Sequence, residues 1–574
     1  MGTACLAENQ TWQWPRKLVK TIYKRLTKFE HDTVFECSIE IGTPTLKRVS
    51  PKSKPLLALL AISLWITPVW SQRSETAIAN SLPALGDGSD ITLSAERQLG
   101  DRIVRELYRD PDYLEDPILD EYLQNIWQPL VRGAQARGEM TPELLERFAW
   151  KIFIGRDRSV NAFALPGGYL GVHLGLISVV NTRDELASVM AHELSHVTQR
   201  HIARSIGDQA RMAPWLTGAM ILGMLAASKS AQGAQAMIVG GQAMAAQSQL
   251  NFSRDMEREA DRIGYGVMSE AGFDTQGFVT MFGKLQQAAG LNDSGAFPYL
   301  RSHPLSSERI ADMQARQQLQ TPRLANQAND LVQAIMSARA RVLAQPGVGA
   351  LRAWANEATD TSMETHTLNK RVGILYGAAF SLVQLRDLTA ARALLPRLRL
   401  ALGDHASALR LVQLLEMEMA FKENDMHGAL RALNSVIQLP ASQWQRPELI
   451  YVAQASARLQ TASPSMETSQ LLAKSVSALQ AWMLQSPQDA LAWQVLASSL
   501  AAQGRTLASL RAEGEAQLAR MDFGAAVDRF RAAQDASRNN PPQMGDHIEA
   551  SIVDSRLRYA QGILREQLLE RQAR

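Results

Sequence analysis

Apolar residues recur every third or fourth position through Glu96–Tyr108 and again through Leu119–Val131, the spacing that gives a helix one buried face. The pattern then changes. Trp150-Lys151-Ile152-Phe153-Ile154 reads as a half-buried strand, and Ala162–Ile177 is interrupted by Pro166, Gly167, Gly168, Gly171 and Gly175, which predicts short extended pieces joined by turns. A helical period resumes at Asp184 and dominates the rest. Trp215–Ala227 is continuously apolar or small, and Ala234–Ala246 is mostly Gly, Ala and Met. Neither reaches the roughly 20 residues of a membrane-spanning helix. They fit a packed helical hairpin, or a patch that faces substrate or makes peripheral contact with lipid.

From about Ala325 the chain is rich in Ala, Leu, Gln and Arg, and a small-large-small pattern recurs: Ala391 with Leu395 and Leu398, Ala429 with Leu433 and Val436, Ala478 with Trp482, and Ala526 with Phe530 and Ala533. In the second helix of a tetratricopeptide repeat, a small residue at such a position lets two helices approach and a large one fills the gap. The intervals exceed the 34-residue period of those repeats, so the expectation is a degenerate helical solenoid. The alternative is an unrelated helical bundle.

Composition narrows the function. Hydrophobic residues make up 46% of the 574 and charged residues 20%, enough apolar surface for packed cores. The formal net charge of +3 resides in residues 1–54, which hold ten Lys and Arg against five Asp and Glu, and the remainder is close to neutral. With no long basic run, nucleic acid is not expected as a partner. Cys5 and Cys37 are the only cysteines, which excludes a disulfide framework and a cysteine metal cluster. Any metal must be held by histidines and carboxylates.

Leu56–Leu64 is an apolar run preceded by Lys52 and Lys54 and followed by Pro68-Val69-Trp70-Ser71, the order of a secretory signal peptide near residues 49–71. A membrane anchor is the competing reading. The 50 residues ahead of the signal suggest a misassigned start, with Val49 as the initiating position and a mature chain beginning near Gln72. No cysteine follows the apolar run, so a lipoprotein anchor is not supported. The expected organisation is an N-terminal extension and signal at 1–71, a linker at 72–94, a catalytic domain at 95–324 and a helical repeat domain at 325–574, in a periplasmic protein.

His192-Glu193-Leu194-Ser195-His196 carries the chemistry. Residues four apart on a helix share a face, so the two imidazoles converge on one ion, and Glu193 can reach a water on that ion. Thr182 with Glu185 forms a capping-box signature for this helix, and Leu186, Val189 and Met190 give it an apolar face. A catalytic zinc wants three protein ligands and one open position. On a second helix Glu257 and Asp261 share a face, so Glu257 is expected as third ligand and Asp261 as the hydrogen-bond partner of a ligand imidazole, while Glu259 points elsewhere. His201 lies about 140° from His196 on a continuous helix and takes no metal role. His173 is a neighbour of the cleft without a spacing argument. Gly168, Tyr169, Leu170, Gly171 and Val172 fit an edge strand on which an extended substrate could pair, or an interior strand.

These motifs, with Asn161–Tyr169 and the later Ser302-His303-Pro304 followed by Arg309, resemble the zinc metallopeptidases related to HtpX and the prenyl-protein proteases. With an export signal and a helical tail, the sequence is most similar to the β-barrel assembly-enhancing group among them. The resemblance covers about residues 95–320 and implies a mainly α fold: an α+β gluzincin-type domain with a small sheet, then a tetratricopeptide-like α-helical solenoid. It implies one Zn2+ per chain held by His192, His196 and Glu257, with Glu193 as general base. It also implies that His303 can act as a latch or fourth ligand, and that Arg309 either braces the His303 loop or stabilises charge. The reaction it implies is peptide-bond hydrolysis of unfolded or stalled polypeptides. No GxxxxGK loop is present, so it is expected to need no ATP. Outer-membrane β-barrel precursors and their assembly machinery are the partners the resemblance implies. The competing function is a periplasmic chaperone or assembly scaffold with a latent metal site.

Overall fold

The computed structural model describes residues 91–207, 254–290, 297–319, 327–344, 346–360, 363, 365–539 and 546–572. The signal-like segment near 49–71 and the apolar runs 215–227 and 234–246 lie outside them. Helix α1 (Leu93–Leu107) opens where the Thr92 hydroxyl accepts from the Ala95 N–H, and it buries Leu99, Ile103 and Val104. After the short strand β1 (Tyr113–Leu114), Asp116 caps and Pro117 begins helix α2 (Pro117–Ala136), which turns Leu119, Leu123, Ile126, Trp127 and Leu130 into the core. Helix α3 (Pro142–Arg147) leads to strands β2 (Lys151–Gly155), β3 (Ala162–Leu165) and β4 (Tyr169–His173). Gly167 and Gly168 turn β3 into β4 with φ of +78° and +85°, a region that costs glycine little.

Among the described residues the sheet has four strands in the order β1-β2-β4-β3, with β2 and β4 parallel and the other two pairs antiparallel. This corrects the edge-strand reading of Gly168, Tyr169, Leu170, Gly171 and Val172. Tyr169–Val172 lie between β2 and β3, their backbone groups already engaged on both sides, and the Gly168 carbonyl accepts from Lys151 N–H at 3.1 Å. Among the described residues the edge of the sheet near the site is β3.

Helix α4 (Leu174–Val179) is followed by α5 (Arg183–Thr198), α6 (His201–Gly207), α7 (Arg254–Glu270), α8 (Gln276–Gly290), α9 (Tyr299–Ser302) and α10 (Ser307–Gln318). Helix α5 is buried on every face from Glu185 to Thr198, with α7 and α8 packed on it and β3 beside it. Gly264 sets how near α7 comes: a Cβ there would stand 3.0 Å from the Ala191 carbonyl oxygen of α5.

The described residues after α10 are mainly helical, as expected. They run through α11 (Gln327–Leu343), α12 (Val348–Glu357), α13 (Leu368–Gln384), α14 (Leu388–Leu402), α15 (Ala406–Glu423), α16 (Met426–Ala432) and α17 (Asn434–Ile437). Then come α18 (Arg446–Ala462), α19 (Met466–Gln485), α20 (Ala490–Ala502), α21 (Thr506–Ala519), α22 (Phe523–Asn539) and α23 (Asp546–Gln572). Ala391, Leu395 and Leu398 are buried together on α14, and Ala526, Phe530 and Ala533 on α22. The Ala429 set is split, because the helix breaks at Leu433 between α16 and α17. Ala478 and Trp482 on α19 are only half-buried.

The acidic first turn of α2 and the residues before it receive four arginines from this helical region. Arg339 of α11 reaches Asp116 at 2.7 Å and Glu418 at 2.6 Å, Arg410 of α15 reaches Glu121 at 2.6 Å, Arg446 of α18 reaches Asp120 at 3.2 Å, and Arg520 reaches Glu115 at 2.8 Å. Arg339 is only 1% exposed and also lies over the Phe380 ring. Breaking one partner out of a buried pair strands the others, which costs about 3–5 kcal/mol. Arg339→Met is therefore expected to lower the stability of the full chain by that amount in urea unfolding, whereas Arg538→Met, in a pair 72% exposed, shifts it by less than about 0.5 kcal/mol. Equal shifts for the two variants would deny the buried cluster its role.

Candidate metal centre

Thr182 caps α5 as the sequence suggests, its hydroxyl accepting from the Glu185 N–H at 3.2 Å. The reciprocal half differs: the Glu185 carboxylate accepts from Asn181 N–H at 2.6 Å and from Lys284 Nζ at 2.7 Å. One helical turn separates His192 from His196, and their Nε2 atoms meet at 3.0 Å. Helix α7 delivers Glu257, whose Oε2 is 3.5 Å from His192 Nε2 and whose Oε1 is 3.4 Å from His196 Nε2. His303 follows α9, with Nδ1 3.0 Å from Glu257 Oε1 and 3.3 Å from His192 Nε2. One ligand atom from each of these four buried residues lies within 4.8 Å of the others.

The donor set fits a cation. Asp261 Oδ1 accepts from His192 Nδ1 at 2.9 Å, and Arg309 grips the same carboxylate through Nε at 2.6 Å and Nη2 at 2.8 Å. A carboxylate so paired only accepts, so His192 keeps a hydrogen on Nδ1, and Nε2 is the nitrogen whose proton a metal would replace. That nitrogen meets the Nε2 of His196 and the carboxylate of Glu257. Glu257 Oε2 lies 2.7 Å from Arg309 Nη1, yet the angle gives it no hydrogen bond. Burial disfavours charge on His192, but Asp261 and Glu257 outweigh it and hold its pKa at about 9. Burial likewise pushes Glu257 up, and His303, His192 and His196 overcome it and keep Glu257 well below the usual carboxylate range. A pocket walled by imidazole nitrogen and carboxylate oxygen suits a divalent cation.

Glu193 sits one step beyond the pair. Its Oε2 accepts from the Ala164 N–H of β3 at 2.9 Å, and its Oε1 faces His303 Nε2 at 3.3 Å. Burial pushes its pKa up, against the pull of His303 and His192. The His303 ring stacks on Tyr299 at 4.6 Å, and Arg309 Nη1 donates to the Pro304 carbonyl at 2.8 Å, tying α10 to the His303 loop. His173 stands apart, with Nδ1 3.0 Å from Ser159 Oγ and its ring edge-on to Phe163.

His201 is nearer than its spacing implied. Helix α5 stops at Thr198, and Arg200 takes a φ of +53°, so His201 opens α6 pointing back at the site. Its Nδ1 is 2.8 Å from His196 Nδ1, and its Nε2 is 3.0 Å from Glu259 Oε2. Glu259, expected to point elsewhere, thereby joins the surroundings of the centre. The reckoning of 140° presumed one unbroken helix, and no residue type at positions 199–200 announces the break.

Residues 117–317 match the model of peptidase family M48. Over 478 residues the chain is 30% identical to the beta-barrel assembly-enhancing protease of Escherichia coli K12, covering 82% of this chain and 90% of that protein. The chain belongs to peptidase family M48. A Vibrio cholerae relative is 38% identical over 237 residues, spanning 41% of this chain and 47% of that protein. The mitochondrial metalloendopeptidase OMA1 of Saccharomyces cerevisiae is 29% identical over 196 residues, 33% of this chain and 54% of that protein. M48 membership makes the chain a metalloprotease, and the buried His192, His196, Glu257 and His303 are its candidate metal-binding group.

Metal bound to the folded M48 domain alone adds stability by mass action, about 4 kcal/mol at a free concentration a thousand times Kd. A chelator is expected to lower the unfolding midpoint and added divalent metal to restore it. A midpoint indifferent to both treatments would remove the cation from this centre.

Proposed function

We propose that this M48 peptidase is an exported, ATP-independent zinc endopeptidase that hydrolyses unfolded or misassembled envelope polypeptides. The observation that carries it is the convergence of His192, His196 and Glu257 with Glu193 beside them. Two imidazoles, one carboxylate and one further position form the usual donor set of a catalytic zinc. Zinc bound there would supply Lewis acidity to a scissile carbonyl and to a water.

The chain's own groups do the rest. Glu193 accepts the proton of the attacking water and returns it to the leaving amine, and its burial favours proton uptake. The Ala164 N–H holds one oxygen of that carboxylate, leaving the other for the water. Because that N–H points away from β4, an extended peptide laid along β3 would pass beside Glu193 and be read through its backbone. Asp261 and Arg309 keep His192 aimed. His303 is a latch: with Nδ1 in the ligand group and Nε2 toward Glu193, it fills the open position and faces the base.

The β-barrel assembly role of the Escherichia coli relative supports outer-membrane precursors and their assembly machinery as partners here. Export by the segment near 49–71 places them in the periplasm, and among the described residues no helix is long and apolar enough to cross a membrane. The divisions at 95–324 and 325–574 then separate chemistry from client selection by tetratricopeptide-like helices. A cleft of about 970 Å³ between α2, β2 and α18–α20, lined by Trp150, Trp444 and Trp482, offers a surface for clients. A chaperone with a latent centre is the second reading, favoured by the seat of His303 in the ligand group.

Glu193→Gln is expected to retain zinc and lose casein cleavage by about 10²–10⁴-fold. Cleavage equal to wild type would end the peptidase assignment. His303→Ala is expected to cleave casein faster than wild type, and a rate unchanged or reduced would discard the latch.

A further inference from the structure

We propose that Glu259 and His201 form a hydrogen-bonded relay that fixes the tautomer of His196 and so aims its Nε2 at the metal. This deepens the zinc reading above and rests on it. Glu257 and Glu259 are two residues apart on α7, about 200° around the axis, so one carboxylate faces the centre and the other faces α6. Glu259 Oε2 lies 2.9 Å from Arg204 Nη1 and 3.0 Å from His201 Nε2. A carboxylate in an ion pair with arginine only accepts, so His201 Nε2 carries the hydrogen and His201 Nδ1 presents a lone pair. That lone pair lies 2.8 Å from His196 Nδ1, which must then donate. With its hydrogen held on Nδ1, His196 has only Nε2 with which to bind metal, and Nε2 is the atom facing His192 at 3.0 Å.

The two ligand imidazoles are thus oriented by different means. Asp261 reaches His192 directly, whereas His196 is reached through a second ring, edge-on to it with centroids 4.8 Å apart. The backbone is shaped for this. Arg200 adopts a left-handed φ of +53°, unfavourable for a side chain of its kind, and is held by Glu96, whose Oε2 lies 3.0 Å from its Nε. That turn starts α6 at His201 and sends the ring back over His196, where it is fully buried. His201 and Glu259 are positioning residues, since neither lies among the four groups that could hold the ion.

The test measures zinc affinity by competition with a chromogenic chelator and the visible absorption of the cobalt-substituted protein, with circular dichroism reporting the fold. Arg204 and His201 meet the same Glu259 oxygen, a place a glutamine carbonyl could fill, so the variant is Glu259→Leu, which is similar in size and removes the acceptor that fixes the hydrogen of His201 on Nε2. It is expected to weaken zinc binding roughly 10–100-fold and to shift the cobalt band. His201→Gln, whose side-chain carbonyl can accept from His196 Nδ1, is expected to stay within about threefold of wild type, whereas His201→Leu falls with Glu259→Leu. Glu259→Leu folded and binding zinc as wild type would overturn the relay, whatever the folding of His201→Leu. Wild type that binds no zinc would instead overturn the zinc reading itself, and the relay with it.

Discussion

Lone pairs buried face to face repel unless positive charge stands between them, and the fold around α5 is arranged to force that confrontation. His192, His196 and Glu257 are each close to fully buried, so water cannot relieve them. Their approach follows from the backbone: α5 supplies two rings one turn apart, and Gly264 lets α7 come near enough for Glu257 to span both. The surrounding apolar packing, from Leu186 to Leu194 on α5 and Ile263 to Met268 on α7, holds these groups where neither could retreat. A cation held among them would offset the cost of crowding these acceptors and so link the stability of this region to metal.

A second electrostatic arrangement works at longer range. Asp116, Asp120 and Glu121 lie at the N-terminal end of α2, where the helix dipole already favours negative charge, and Glu115 precedes them. Arg339, Arg410, Arg446 and Arg520 come to this acidic end from sequence positions spread over 180 residues. Trp127 of the same helix donates to the Trp150 carbonyl at 3.0 Å, beside the start of β2. Strand β2 pairs with β4, β4 with β3, and β3 holds Glu193 through Ala164. Mechanical continuity therefore runs from the helical region through α2 and the sheet to Glu193, the proposed general base.

What could be read in advance was what depends on local spacing. The helix of His192 and His196 and its Thr182 cap are short-range consequences of residue type and lie where the pattern put them, and the strand expected at Trp150–Ile154 is displaced by one residue, to Lys151–Gly155, with its three central residues all buried. The pairing of Glu257 and Asp261 was legible for the same reason, since a shared helix face needs only a separation of four. Strand order was not legible. Period-two alternation shows that Tyr169–His173 is extended and says nothing of what lies on either side, so the edge was placed one strand away from β3.

The same limit explains His201. A spacing of five on a helix is a statement about a continuous axis, and it fails wherever one residue leaves the helical region. Here that residue is an arginine, a type with no preference for positive φ, so the break comes from its partner Glu96, 104 positions earlier. A buried ion pair between sequence-distant residues selects the local backbone, and the backbone then decides which imidazole meets His196. Local pattern therefore locates atoms that can bind a cation, while contacts between distant residues determine which of their nitrogens carry hydrogen. Since metal binding needs a lone pair and not merely a ring, the second kind of information governs whether the first kind describes a working centre.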